Sequence, residues 1–248
     1  MLSKNTLKFI KSLHQKKFRK QADSFFVEGS KNVTELLVSD FEVTHLLFTS
    51  GFGRHNQTLI STFSGECYEV GENVLEGLGS FQTNNSALAV ARMKKPHTII
   101  PQKGEFVLAL DDVRDPGNLG TILRIADWYG IKKVLLSVQS ADFYNPKVLH
   151  ASMGSFTRID FAYVDLAAVL AQTDVPTYGA FLDGENIHSL NLSMEGILVM
   201  GNESHGISPN VAQCIHHRIT IPSFGAAESL NVAIATAVIC DNFRRFGR

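Results

Sequence analysis

The sequence predicts an α/β protein in which a mostly parallel sheet, covered by helices on both faces, follows a smaller α/β unit. Near-continuous apolar runs of strand length recur through the second half at Phe106–Leu110, Lys133–Val138, Arg158–Val164, Thr177–Phe181 and Ile197–Met200. Helical patterns separate them, which is the rhythm of buried parallel strands joined by crossover helices. A shorter alternation of the same kind occupies the residues before 94. Between the two, Lys94-Lys95-Pro96, Pro101 and Gly104 form a linker composition. The expected organisation is a first domain at 1–93, a linker at 94–104 and a second domain at 105–248. A chain of 248 residues is long enough to bury a real core in each.

Taken in order, Leu7, Ile10 and Leu13 recur at helical spacing with Lys8 and Lys11 between them, so residues 3–18 read as one amphipathic helix. Phe25–Val27 reads as a short strand, and Gly29-Ser30 opens a helix to Val38. Val43–Thr49 is a strand, Gln57–Phe63 a helix, Cys67–Val70 a strand, Val74–Leu78 a helix and Ala87–Arg92 a strand. Beyond the linker, the strand Phe106–Leu110 ends in Asp111-Asp112. Asp115-Pro116-Gly117-Asn118 then signals a turn, and Asn118 is a good cap for a helix over Thr121–Tyr129 that stops at Gly130. Val232–Phe243 is a long apolar helix.

Composition narrows the function. No apolar run approaches the roughly 18 residues needed to span a bilayer, and no apolar segment of the signal-peptide kind follows the basic N-terminus. Cys67, Cys214 and Cys240 lie far apart with no CxxC or Cys/His spacing. That argues for a reducing cytoplasm, no disulfide framework and no metal site. The net charge is only −1, yet seven of the 23 Lys and Arg residues precede the first acid, Asp23. Within that arm Lys16, Lys17, Arg19 and Lys20 are candidate phosphate contacts, although a basic helix face is equally what a solvated surface looks like.

Three patches in the second half place glycines and small polar groups where apolar strands end. They are Asn118-Leu119-Gly120 with Arg124, then Gly201-Asn202-Glu203-Ser204-His205-Gly206, then Glu228-Ser229-Leu230-Asn231-Val232. Each alone reads as a turn or a helix cap. Arg124 is the exception, because a guanidinium between Leu123 and Ile125 calls for an anionic partner. None of the patches is a phosphate-binding loop, since Gly-Lys-Ser/Thr and a complete GxGxxG are both missing.

Together, in order and spacing, they resemble the three motifs of the SpoU-type (TrmH-like) RNA 2′-O-ribose methyltransferases of the SPOUT superfamily. The matching stretches are Asn118–Arg124, Gly201–Ile207 and Ile221-Pro222 through Asn231-Val232. Lys147 through Gly154 is similar to a segment recurrent between the first two motifs. Lys16-Lys17-Phe18-Arg19 and Phe26-Val27-Glu28-Gly29 resemble the small L30e-like α/β substrate-binding domain that many members carry. Where the family often has a second glycine after the glutamate, this chain has Ser204. A positive φ there would strain a serine.

The resemblance implies a C-terminal trefoil knot, a homodimer and S-adenosyl-L-methionine held in the knotted loops. The matching cofactor positions are Gly201, Ile221 and Leu230, with Met200, Asn202 and Gly206 beside them. It also implies that Arg124 is catalytic and that Asn118, Glu203, Ser229 and Asn231 orient it and the ribose. A guanidinium is a poor base, so a clamp on the RNA phosphate and the developing alkoxide is the expected role. Ribosomal RNA is the expected substrate, with tRNA as the alternative. A non-catalytic RNA-binding or ribosome-assembly module and a nucleotide-dependent α/β enzyme are the rivals from other classes.

Overall fold

The computed structural model describes residues 2–246. Met1 and residues 247–248, which fall inside the sequence-based domain limits, lie outside the described residues. Two compact units emerge, one of the residues up to Lys95 together with Asp142–Thr157, the other of Pro96–Ala141 and the chain from Arg158 onward.

The first unit begins with helices α1 (Lys4–Ser12) and α2 (Lys16–Ala22), where one helix was expected. Ile10 and Leu13 are fully buried, and Leu13 is the C-cap of α1. Gln15 is extended and restarts the helix. Strand β1 (Ser24–Glu28), α3 (Ser30–Leu37), β2 (Val43–Phe48), α4 (Ser50–His55), α5 (Gln57–Ser61), β3 (Glu66–Glu69), α6 (Glu72–Leu78) and β4 (Ala87–Arg92) follow. The sheet order is β1-β4-β2-β3, with β4 antiparallel to both neighbours and β2 parallel to β3. Its core joins Ile10 and Leu13 to Phe26, Leu47, Leu75, Leu78, Leu88 and Val90.

Arg19 does not join the basic surface. Its side chain is 2% exposed, and its Nη1 donates to the carbonyls of Leu13 and His14 at 2.8 Å each. Its Nη2 pairs with Asp142 Oδ2 at 2.6 Å. The guanidinium therefore closes the C-terminal end of α1, where orphan carbonyls need donors, and ties it to a segment over one hundred residues away.

The second unit opens with β5 (Phe106–Leu110), α7 (Pro116–Trp128) and β6 (Lys133–Ser137). Its helix starts earlier than expected. Asp115, not Asn118, is the cap and accepts from Asn118 N at 2.8 Å, with Pro116 in the first turn. The stretch expected to be a free turn is thus the start of α7, and the Asn118 side chain is released for other work.

Residues 142–157 return to the first unit, although the sequence-based limits put them in the second. Their helix α8 (Pro146–Ser152) packs on β1, with Tyr144 tilted against Phe25 and Phe156 edge-on to it. Burial pushes the Tyr144 phenol well above its ordinary range. Met153 and Gly154 are both left-handed, at φ 52° and 92°. A Cβ on Gly154 would collide with the Glu35 side chain on α3, which gives the Ser152-Met153-Gly154 segment a structural reason.

The remaining elements are β7 (Asp160–Val164), α9 (Leu166–Ala171), β8 (Thr177–Asn186), β9 (Gly196–Met200), α10 (Pro209–Ala212), β10 (His217–Thr220) and α11 (Val232–Phe246). The six-stranded sheet runs β10-β8-β9-β5-β6-β7 and is parallel throughout. Pairing of β10 with β8 jumps from Gly179 to Glu185 between Arg218 and Ile219. Residues Ala180–Gly184 therefore bow out of the ladder at the carboxyl end of the sheet, where ligands of parallel α/β sheets bind.

Candidate active site

The three motif patches meet at that carboxyl end. Asn231 Nδ2 donates to Asn118 Oδ1 at 2.9 Å, and Asn118 Nδ2 donates to Glu203 Oε1 at 2.9 Å. The direction of this relay is fixed from both ends. Asn231 Oδ1 accepts from Ala233 N at 2.9 Å and Ile234 N at 3.3 Å, capping α11, so its amide nitrogen must face Asn118. A carboxylate only accepts, so the Asn118 nitrogen must face Glu203. The relay thus presents the Glu203 carboxylate in one orientation and joins the first, second and third patches through side chains alone.

The second loop is built around Asn202. Its Oδ1 accepts from Ser204 N at 2.8 Å and His205 N at 3.1 Å, and its Nδ2 donates to the Asp112 carbonyl at 2.8 Å. Its backbone forms a two-bond bridge with Gly206. These bonds make Asn202 the residue that shapes the loop, and it also lines the cavity described below. Ser204 is not left-handed. The positive φ falls on Gly206 at 69°, which removes the strain anticipated at the serine.

Gly201 carries the tightest constraint in this loop, because a Cβ there would collide with the backbone of Gly206 and Ile207. Gly201→Ala is expected to cost about 1–3 kcal/mol by overpacking and to weaken cofactor binding with it. Thermal unfolding with and without S-adenosylmethionine checks this. An unchanged ligand-induced rise in Tm would show that the loop does not shape the pocket.

A cavity of about 740 Å³ adjoins the relay. Met200, Gly201, Asn202, Gly206, Ile221 and Leu230, all expected at the cofactor, line it, as do Glu203 and Ser229. Ser229 faces the cavity without joining the relay. Apolar walls come from Ile207, Ile219, Val232 and Ile239, and the polar character is one-sided. Among the described residues, Asp183, Glu203 and Glu228 line the cavity, and no Lys or Arg does. Asp183 is held below the usual carboxylate range by Arg218 Nη2 at 2.6 Å. The Arg218 guanidinium also lies 3.5 Å from the centroid of the Phe181 ring.

An acid-lined, largely apolar cavity suits a ligand with an aromatic end and a positive centre, and disfavours a polyphosphate. S-adenosylmethionine, with its sulfonium and ammonium groups, fits that description. The wall from Ala180 to Asp183 was not foreseen. Its one signal in the sequence is Asp183-Gly184 directly after a strand, a turn dipeptide. At Gly184 a Cβ would meet the backbone of Ile219.

Arg124 is apart from this cavity. It lies on the exposed side of α7 and makes no hydrogen bond or ion pair among the described residues, while Ile122 and Leu123 of the same turn are fully buried. Lys16, Lys17 and Lys20 are exposed, unlike Arg19. Among the described residues, no group of three His, Cys, Asp or Glu side chains is placed to hold a metal ion, and no helix is long and apolar enough to cross a membrane.

Comparison with known proteins gives the same outline over the whole chain. The model of the SpoU rRNA methylase family matches residues 105–241, and that of the MRM3-like substrate-binding domain matches residues 4–89. The chain is 31% identical over 241 residues to the 23S rRNA (guanosine(2553)-2′-O)-methyltransferase RlmP of Bacillus subtilis (strain 168), with 94% of each protein covered. A structure from Porphyromonas gingivalis, described as an RNA methyltransferase of the TrmH family, aligns with a TM-score of 0.87 at 39% identity over 99% of both chains. An AdoMet-bound rRNA methyltransferase from Sinorhizobium meliloti aligns with a TM-score of 0.87 at 30% identity, over 99% of this chain and 96% of its own.

Proposed function

The chain belongs to the SpoU rRNA methylase family, and from that premise we propose that it methylates a ribose 2′-hydroxyl of ribosomal RNA using S-adenosylmethionine. The observation that carries the reading is the meeting of all three motif patches, through the Asn231–Asn118–Glu203 relay, at a cavity lined by carboxylates. Bound S-adenosylmethionine supplies the electrophilic methyl group. The chain holds it with the backbone and apolar groups of Met200, Gly201, Ile221 and Leu230, and Glu203 and Glu228 complement its positive charge.

The protein's remaining task is to position the 2′-hydroxyl and stabilise the charge that develops as its proton leaves. Arg124 does this as a clamp on the neighbouring phosphate and on the nascent alkoxide, since a guanidinium holds its own proton too tightly to act as a base. The relay orients Glu203, and Ser229 contacts the ribose. The labour divides along the chain, with residues 1–93 binding RNA and 105–248 transferring the methyl group.

Three further features belong to the same reading. The chain functions as a homodimer, because the packed helices α7 and α11 leave Trp128 84% and Ile234 55% exposed, and Arg124 shares the exposed side of α7. The C-terminal end of the chain is threaded through a loop as a trefoil knot. In support, β10 sits at the sheet edge, yet α11 packs back on α7. The setting is the cytoplasm, consistent with three free cysteines, of which Cys240 is buried with its thiol pushed up to about 12.

Incubating the protein with methyl-labelled S-adenosylmethionine and unmodified ribosomal RNA transcripts, then mapping 2′-O-methyl nucleotides, tests the reading. Label confined to tRNA in a parallel reaction would redirect it. Deleting residues 1–20 is a poor test of RNA binding, because it strips Ile10, Leu13 and Arg19 from the first unit. The charge-only variant Lys16→Gln/Lys17→Gln/Lys20→Gln avoids this. It is expected to lower the slope of log affinity against log salt by about 2–3, as the loss of as many phosphate contacts would. An unchanged slope in anisotropy titrations would remove these lysines from the RNA interface.

A further inference from the structure

The cavity has an apolar mouth that the methyl-transfer reading leaves without a role. Two of its lining side chains stand almost wholly in solvent, Phe224 at 91% and Leu182 at 79% exposure. They come from different elements, Leu182 from the bowed stretch of β8 and Phe224 from the loop between β10 and α11. Residues 223–230 of that loop are exposed along their whole length, and a Cβ on Gly225 would meet nothing within 4 Å. Nothing in the packing of the chain requires an aromatic ring at 224. Phe181, the other phenyl ring among the described lining residues, is part-buried and has one face covered by Arg218, so Phe224 is the more open of the two.

We propose that Phe224 is a positioning residue for the target nucleotide, its ring stacking on the base that is drawn out of the RNA when the 2′-hydroxyl enters the site. This rests on the reading of the site as an RNA methyltransferase centre. Electrostatics is the first argument. Among the described residues lining the cavity there is no Lys or Arg, and although Arg218 pairs with Asp183 from outside, Glu203 and Glu228 leave a field that suits a cationic cofactor and disfavours an approaching phosphate backbone. Arg124, the clamp on the phosphate, does not line the cavity, so holding the base at the mouth falls to an uncharged contact. An exposed aromatic face provides one, since splayed-out RNA bases stack on aromatic side chains with little regard to sequence.

The second argument separates the base from the adenine of the cofactor. Of the positions matched to the cofactor, Met200 is 2% exposed and Gly201 is buried, while Leu230 is 49% exposed, so they run from the floor of the cavity toward its mouth and Phe224, at 91%, is more exposed than any of these. Phe224 is on the solvent side, the side from which RNA arrives.

The test uses the full chain with Phe224→Ala, Phe224→Leu and Phe224→Trp. It reads methylation of unmodified ribosomal RNA, S-adenosylmethionine affinity by calorimetry and mass by sedimentation. Phe224→Ala is expected to lower kcat/KM for RNA by about 10- to 100-fold, the range of one lost stacking contact. Cofactor affinity should stay within about twofold and mass should not change. Phe224→Trp should restore most of the loss and Phe224→Leu little, because stacking needs a flat face and not merely an apolar one. An unchanged kcat/KM in Phe224→Ala overturns the proposal. So does a loss of cofactor affinity that matches the loss of rate, which would make the ring a cofactor cap, or a fall in mass, which would place it in a subunit interface. A wild-type protein that binds the cofactor but methylates no RNA fails differently, by removing the reading of the site itself.

Discussion

Arg124→Ala is expected to reduce methyl transfer to RNA by about a thousandfold or more, comparable with removing a group that stabilises charge only in the transition state. S-adenosylmethionine affinity should stay within about threefold, because Arg124 does not line the cavity. The fold should tolerate the change, since the side chain is exposed and makes no hydrogen bond or ion pair among the described residues, and such substitutions usually alter stability by less than about 0.5 kcal/mol. Arg124→Lys sharpens the result. A lysine keeps the charge but not the planar fork that grips a phosphate by two bonds, so a clamp predicts poor recovery. Calorimetry with the cofactor and single-turnover methylation separate the two effects. Wild-type turnover in Arg124→Ala, or a cofactor affinity that falls in step with activity, would take Arg124 out of the reaction.

The contrast between Arg124 and the relay shows which parts of the site a sequence can carry. Asn118, Glu203 and Asn231 stand out in the sequence only as a set, because each sits where a cap or a turn would explain it. The structure meets that explanation for Asn231, which caps α11 with one amide atom and joins the relay with the other. For Asn118 it does not, because Asp115 takes the cap. Both residues have the same chemistry, and only the start of the helix decides between the roles. The alternation of apolar strands made the parallel sheet legible, since burial on both faces leaves its mark residue by residue. The bow of β8 left no such mark. It depends on β10 pairing with Glu185 after Gly179, so the cavity wall at Ala180–Asp183 could not be read locally.

The same limit explains Arg19, and there it generates the second large effect. In the sequence Arg19 is one cation in a basic run, with no acid before Asp23, and a phosphate contact is the natural expectation. Its true partner, Asp142, is 123 residues away in a segment whose return to the first unit nothing local announces. Arg19→Met is therefore expected to destabilise the first unit by up to about 3 kcal/mol, less than the full cost of stranding a buried ion, because Asp142 keeps 16% of its side chain in solvent. Two further losses fall on the Leu13 and His14 carbonyls, whose donor it removes. Denaturant unfolding followed at the first unit measures this.

The double variant Arg19→Met/Asp142→Leu is the informative companion. With both charges gone no ion is stranded, so the pair should recover a large part of the stability lost in Arg19→Met. A residue held for RNA would behave in the opposite way, leaving stability intact in Arg19→Met and lowering the salt slope of RNA binding by about one contact. If the double variant is as unstable as Arg19→Met, the carbonyl bonds at the end of α1, and not the ion pair with Asp142, are what make Arg19 indispensable.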